Sequence, residues 1–89
     1  MRAETAETLA LQALGWLAGI DEAVDRFLAL SGLSATELRD RAEDPELLAA
    51  VVDFILSEDS LARNFCETAG IDALTLHACR RALPGASEH

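Results

Sequence analysis

The chain has 89 residues, 51% of them hydrophobic and 26% charged, with a formal net charge of −9. That length supports a single domain with one modest core, and the composition excludes an intrinsically disordered chain. The excess of acid argues against general affinity for nucleic acid or for an anionic membrane surface, because phosphate contacts need clustered Lys or Arg.

Ala, Leu and Glu abound, aromatics are few and Tyr is absent. Strands are usually built from β-branched and aromatic residues, so this balance predicts an all-α protein. Helix 1 is predicted from about Glu4 to Ala18, with Leu9, Ala10, Ala13, Leu14, Trp16 and Leu17 on a wide apolar face and Gly19 as its stop. Gly15 lowers helix propensity in mid-helix, which marks either a close backbone approach or a tolerated cost. The apolar run from Leu9 to Ile20 is too short to span a bilayer and is interrupted by Gln12 and Gly15. No secretory signal is recognisable and the two cysteines form no framework, so a reducing cytoplasm is the expected compartment.

Asp21 is the N-cap candidate of helix 2, whose Ala23, Val24, Phe27, Leu28 and Ser31 share a stripe until Gly32. Ser34-Ala35-Thr36-Glu37 matches a capping box and starts helix 3, with an end expected near Glu43. Asp44-Pro45 supplies the N-cap and first residue of helix 4, and Leu47, Leu48, Val51, Val52, Phe54 and Ile55 make it the most buried element. Asp53 falls on its solvent side and is expected to need no partner. Helix 5 begins around Ser57 to Asp59 and stops at Gly70. Asp72 then caps helix 6, with Leu76, Cys79 and Leu83 on one face before Pro84 and Gly85 end it. The expectation is therefore a bundle of five or six short helices in one domain over residues 1–89, with an ordered core over about 4–83 and a polar tail over 84–89.

Phe27 and Phe65, Gly32 and Gly70, and Leu38 and Leu76 are each 38 apart (65 − 27, 70 − 32, 76 − 38), and the same offset aligns Trp16 with Phe54 and Asp21 with Asp59. Helix stops, caps and apolar stripes coincide along it, which predicts two pseudo-repeated three-helix halves.

Chemistry is thinly represented. Cys66, His77 and Cys79 are metal-ligand types, but residues two apart on a helix point to nearly opposite sides, so His77 and Cys79 do not converge. Cys66 aligns with Leu28 on the core stripe, and both thiols read as small buried apolar groups. Catalytic, metal and cofactor residues are all expected to be none, and the chain is expected not to be an enzyme. Leu11, Leu30 and Leu74 fall off the best core stripes and are the candidate interaction surface, for another protein or a second copy. The Phe27–Leu38 stretch also resembles the helix-turn-helix of DNA-binding proteins. On that alternative, Arg39 and Arg41 in helix 3 and His77, Arg80 and Arg81 in helix 6 would supply a basic face, although Glu37 and Asp40 interleave with the first pair.

The segments Glu4–Leu17, with its Ala-Leu-Gly-Trp-Leu, and Arg26-Phe27-Leu28-Ala29-Leu30-Ser31-Gly32-Leu33, together with Phe65-Cys66 and Ala69-Gly70-Ile71, resemble the domain-of-unknown-function family numbered three-five-seven-two. The likeness extends from about Glu4 to Leu83. It implies a bacterial single-domain protein and brings no activity, cofactor or catalytic residue.

Overall fold

Glycine stops and polar caps divide the chain into six helices: α1 (Ala3–Ala18), α2 (Asp21–Ser31), α3 (Ala35–Asp40), α4 (Pro45–Leu56), α5 (Asp59–Ala69) and α6 (Ala73–Arg81). They are seen in a computed structural model that describes residues 1–85, so residues 86–89 of the expected polar tail lie outside the described residues. Gly32 and Gly70 end α2 and α5 in the left-handed conformation, at φ 76° and 71°, where an L side chain would be strained. Ser34 and Glu37 form the reciprocal capping box of α3, while Asp44 and Asp72 accept backbone N–H groups at the starts of α4 and α6.

Three expectations are corrected. Ile20, in extended conformation, is the N-cap of α2, and Asp21 is its first helical residue, where it complements the dipole without capping a backbone group. Helix α3 ends at Asp40 rather than near Glu43, because residues 41–43 form a turn that Arg41 closes by an ion pair to Asp44 at 2.8 Å. Asp53 does have a partner: its Oδ1 accepts the Nε–H of Arg80 at 2.6 Å. That pair depends on α6 lying across α4, a proximity no local pattern carries.

The repeat is real at the level of backbone and burial. Helices α2 and α5 start at 21 and 59 and stop at 31 and 69, α1 and α4 stop at 18 and 56, and α3 and α6 start at 35 and 73, all at the 38-residue offset. Buried residues recur in step: Leu9 with Leu47, Leu14 with Val52, Leu17 with Ile55, Ala23 with Leu61, Phe27 with Phe65 and Leu38 with Leu76. The aromatic contacts cross between halves reciprocally. Trp16 packs on Phe65 with ring centroids 5.4 Å apart, and its counterpart Phe54 packs on Phe27, the counterpart of Phe65, at 5.5 Å. Exchange of the halves maps one contact onto the other, as an internal pseudo-twofold requires.

Helices α1 and α4 make the most extensive contact and form the centre of the bundle. The two halves then diverge. Helix α6 lies against both α1 and α4 and buries Leu76 and Cys79, with Leu83 just beyond it, whereas the six-residue α3 buries only Leu38 and packs on the other helices marginally.

Gly32 and Gly70 each face open space, so replacement by Ala isolates backbone strain. Gly32→Ala and Gly70→Ala should each lower unfolding free energy by about 1 to 2 kcal/mol, equally within error, in denaturant titration. The Asp72 carboxylate is held below its ordinary value of 3.8 by hydrogen bonds from the hydroxyl and the backbone N–H of Thr75. A depressed carboxylate contributes stability that is present above the unfolded-state value and is lost as pH falls through the folded-state one. Asp72→Asn, which keeps a capping oxygen but not the charge, should therefore lower the melting temperature modestly at neutral pH. Its melting temperature should fall less than that of the unsubstituted protein between neutral pH and the acid limb.

Candidate functional site

A hollow opens beside the short α3, and it is wider than its counterpart in the second half. An open apolar groove of about 580 Å³ lies between α1, α2 and α3, lined by Leu11, Leu14, Gly15 and Ala18 of α1, Val24, Asp25 and Leu28 of α2, Ala35, Leu38 and Arg39 of α3, and Ala42. Val24 and Leu28, expected on the core stripe of α2, are only half-buried and form one wall; Ala23 and Phe27 are the core residues of that helix, and Ser31 is exposed. Gly15 lies on the groove floor. A methyl group placed there would meet nothing within 4 Å, so no close backbone approach accounts for the glycine.

The internal symmetry identifies what is missing. A smaller hollow of about 400 Å³ in the second half is lined by Leu56, Ala62, Arg63, Cys66, Ala73, Leu76 and His77, together with Asp59. The first seven lie 38 positions after Ala18, Val24, Asp25, Leu28, Ala35, Leu38 and Arg39 of the groove. The counterparts of Gly15 and Ala42 are Asp53 and Arg80, which are joined by the 2.6 Å ion pair. Arg80 also donates from Nη1 to the carbonyl oxygens of Leu83 and Pro84, tying the chain after α6 to the bundle. Where the second half carries this polar fastening, the first presents Gly15 and Ala42 to an open apolar surface.

Leu11, Leu30 and Leu74 are exposed by 42%, 78% and 77%, which sets them outside the core, but they do not share one hollow. Leu11 lines the groove, Leu30 lines a separate depression beside Phe27 and Phe54, and Leu74 lines neither. Leu11 also lines an adjoining depression with Glu4, Glu7, Thr8, Glu43 and Leu48, so the groove continues into an acidic end. The sequence reading missed Gly15, Ala18, Val24, Leu28 and Ala42 as surface residues. A mid-helix glycine on an otherwise apolar face was the one signal available.

The five cationic or titratable residues of the alternative reading are dispersed. Arg39 lines the groove and His77 the smaller hollow; Arg41 is paired with Asp44 and Arg80 with Asp53; Arg81 is exposed at the end of α6. The remaining cross-half ion pair joins Arg26 to Glu58 at 2.7 Å, with the guanidinium also 5.9 Å from the centre of the Phe54 ring.

Cys66 and Cys79 are free thiols and both are buried. Burial raises both above the ordinary thiol value, aided at Cys66 by the charge of Asp72 and opposed at Cys79 by that of Arg80. Cys79 Sγ donates to the carbonyl oxygen of Ala6 at 3.3 Å, and His77, two residues earlier, is exposed on another side of α6. Among the described residues, no group of three or more His, Cys, Asp or Glu side chains is placed to hold a metal ion. At neutral pH both thiols should remain protonated and react with a disulfide reagent at least about 10-fold more slowly in the folded protein than in denaturant, Cys79 more slowly than Cys66. A time course of thiol release, resolved by peptide mass, measures both rates.

No described helix is long and apolar enough to cross a membrane. No curated protein and no solved structure matches the chain. Residues 3–86 match the model of a family described as "Protein of unknown function (DUF3572)". A match over nearly the whole of an 89-residue chain, carried by the same helices that build the two halves and the groove between α1, α2 and α3, makes this protein a member of the DUF3572 family.

Proposed function

We propose that the protein is a small non-catalytic interaction module, and that the groove between α1, α2 and α3 is its contact surface. One observation carries this reading. The equivalent hollow of the second half is smaller, with the Asp53–Arg80 ion pair at the positions that Gly15 and Ala42 occupy in the first, where the wider groove keeps an apolar lining. Leu11, Leu14, Val24, Leu28 and Leu38 converge there on a hollow of the size ligands and partner side chains occupy. The absence of an enzyme role remains part of the proposal, supported by thiols that burial keeps protonated and by carboxylates engaged in caps.

The nucleic-acid alternative is the weaker reading. Arg41 and Arg80 are already bound to carboxylates, and α3 is less than two turns long. Neither is the arrangement from which a continuous phosphate-binding face is made.

Gly15→Leu tests the groove without endangering the fold. The position is helical and open, and Leu is a strong helix former, so the variant should be more stable by about 0.5 to 1 kcal/mol while filling the groove. Tagged protein and its Gly15→Leu variant would be compared for what each recovers from nuclease-treated bacterial lysate. A protein recovered by the first and lost with the second is the expected result. Recovery that is indifferent to the substitution removes the groove from the function, and recovery that disappears with nuclease favours the helix-turn-helix alternative.

A further inference from the structure

From charge and length, we infer that the occupant of the groove is a cationic amphipathic helix of a partner protein, lying antiparallel to α1 with its basic last turn over Glu4, Glu7 and Glu43. The inference rests on the groove being the contact surface and adds what it binds. The face of α1 that borders it runs Glu4, Glu7, Leu11, Gly15 and Ala18, at spacings of three and four, which places these residues on one side of the helix. From Glu4 to Ala18 the helix rises about 21 Å, so the track is long enough for about four turns of a second helix. Gly15 and Ala18 carry the least bulk along it, and there the axes can approach most closely.

The two ends of this track differ in charge. Within the apolar groove, Asp25 of α2 and Arg39 of α3 offset one another. Beyond Leu11, the continuation is lined by Glu4, Glu7 and Glu43 with no cation among its lining residues. None of the three acids takes part in an ion pair among the described residues, in contrast to Asp44, Asp53 and Glu58. Three unpaired carboxylates at one end of an apolar track complement Lys or Arg on whatever lies along it. A helix stabilises cations in its own last turn, so an antiparallel partner satisfies its own dipole and these acids together. The net charge of −9 opposes a second copy in the same place and favours a basic partner.

The test uses two labelled peptides of about 15 residues. Both carry the same Leu and Ala face, and they differ only in whether the last turn bears Lys or Glu. In fluorescence anisotropy against the full chain, the Lys peptide should bind at least about 10-fold more tightly at low salt, and the gap should narrow as salt is raised. The triple variant Glu4→Gln, Glu7→Gln, Glu43→Gln should remove most of that discrimination, and Gly15→Leu should abolish binding of both. Equal binding of the two peptides, with both lost in Gly15→Leu, overturns the cationic assignment and leaves the groove standing. Binding by neither peptide overturns the helical occupant, independently of what the lysate comparison returns. A dimer in sedimentation equilibrium that Gly15→Leu dissociates would put a second copy in the groove and overturn the proposal.

Discussion

Two aromatic contacts, Trp16 on Phe65 and Phe27 on Phe54, hold the halves of this protein together, and the rest of the architecture depends on their reciprocity. Each half offers one ring from its first helix and one from its second, and each ring packs against the other kind from the opposite half. Offset or tilted ring pairs contribute beyond the area they bury, because edge and face carry opposite partial charge. The same exchange brings α1 against α4, whose buried Ala13, Leu14 and Leu17 are answered by Val51, Val52 and Ile55. Neither half could bury its apolar face alone at this length, so dimer-like pairing within one chain supplies the core that a three-helix fragment lacks.

Symmetry of the centre makes the asymmetry of the periphery informative. Helices α3 and α6 begin at equivalent residues, but α6 runs three residues further and is fastened to α4 through Arg80 and Asp53. Its counterpart ends at Asp40, the Arg41–Asp44 pair turns the chain into α4, and the positions of the fastening pair hold Gly15 and Ala42. The groove over Val24 and Leu28 is the wider of two equivalent hollows, about 580 Å³ against about 400 Å³. A mid-helix glycine with empty space before it forgoes helix stability that alanine would provide. Such a local cost is what a surface reserved for contact would show.

The acidity of the chain divides in the same way. Glu37, Asp44 and Asp72 cap helices, and Asp44, Asp53 and Glu58 hold arginines, so these five acids serve the fold. Capping carboxylates accept backbone N–H groups that no helical partner could satisfy. Glu4, Glu7 and Glu43 instead meet at the far end of the apolar groove. These three acids stand beside apolar surface that the fold does not cover.

Local rules were enough for the helices and most of the core. Gly32, Gly70, the Ser34–Glu37 box, Asp44-Pro45 and Asp72 act within four or five residues, so their consequences could be read directly from the chain, as could the 38-residue repeat and the burial of both cysteines. The membership of the family was likewise legible in its Ala-Leu-Gly-Trp-Leu and Arg-Phe-Leu-Ala-Leu-Ser-Gly-Leu segments. The groove was not, because whether Val24 and Leu28 are core or surface depends on how α3 is placed against α1 and α2, and α3 packs on the other helices only marginally. Tertiary packing also decided that Asp53 would meet Arg80, and that Leu11 would join the groove while Leu30 and Leu74 stood elsewhere. A helix carries its periodicity in its own sequence, but which part of its apolar stripe stays uncovered is set by the length and placement of its neighbours.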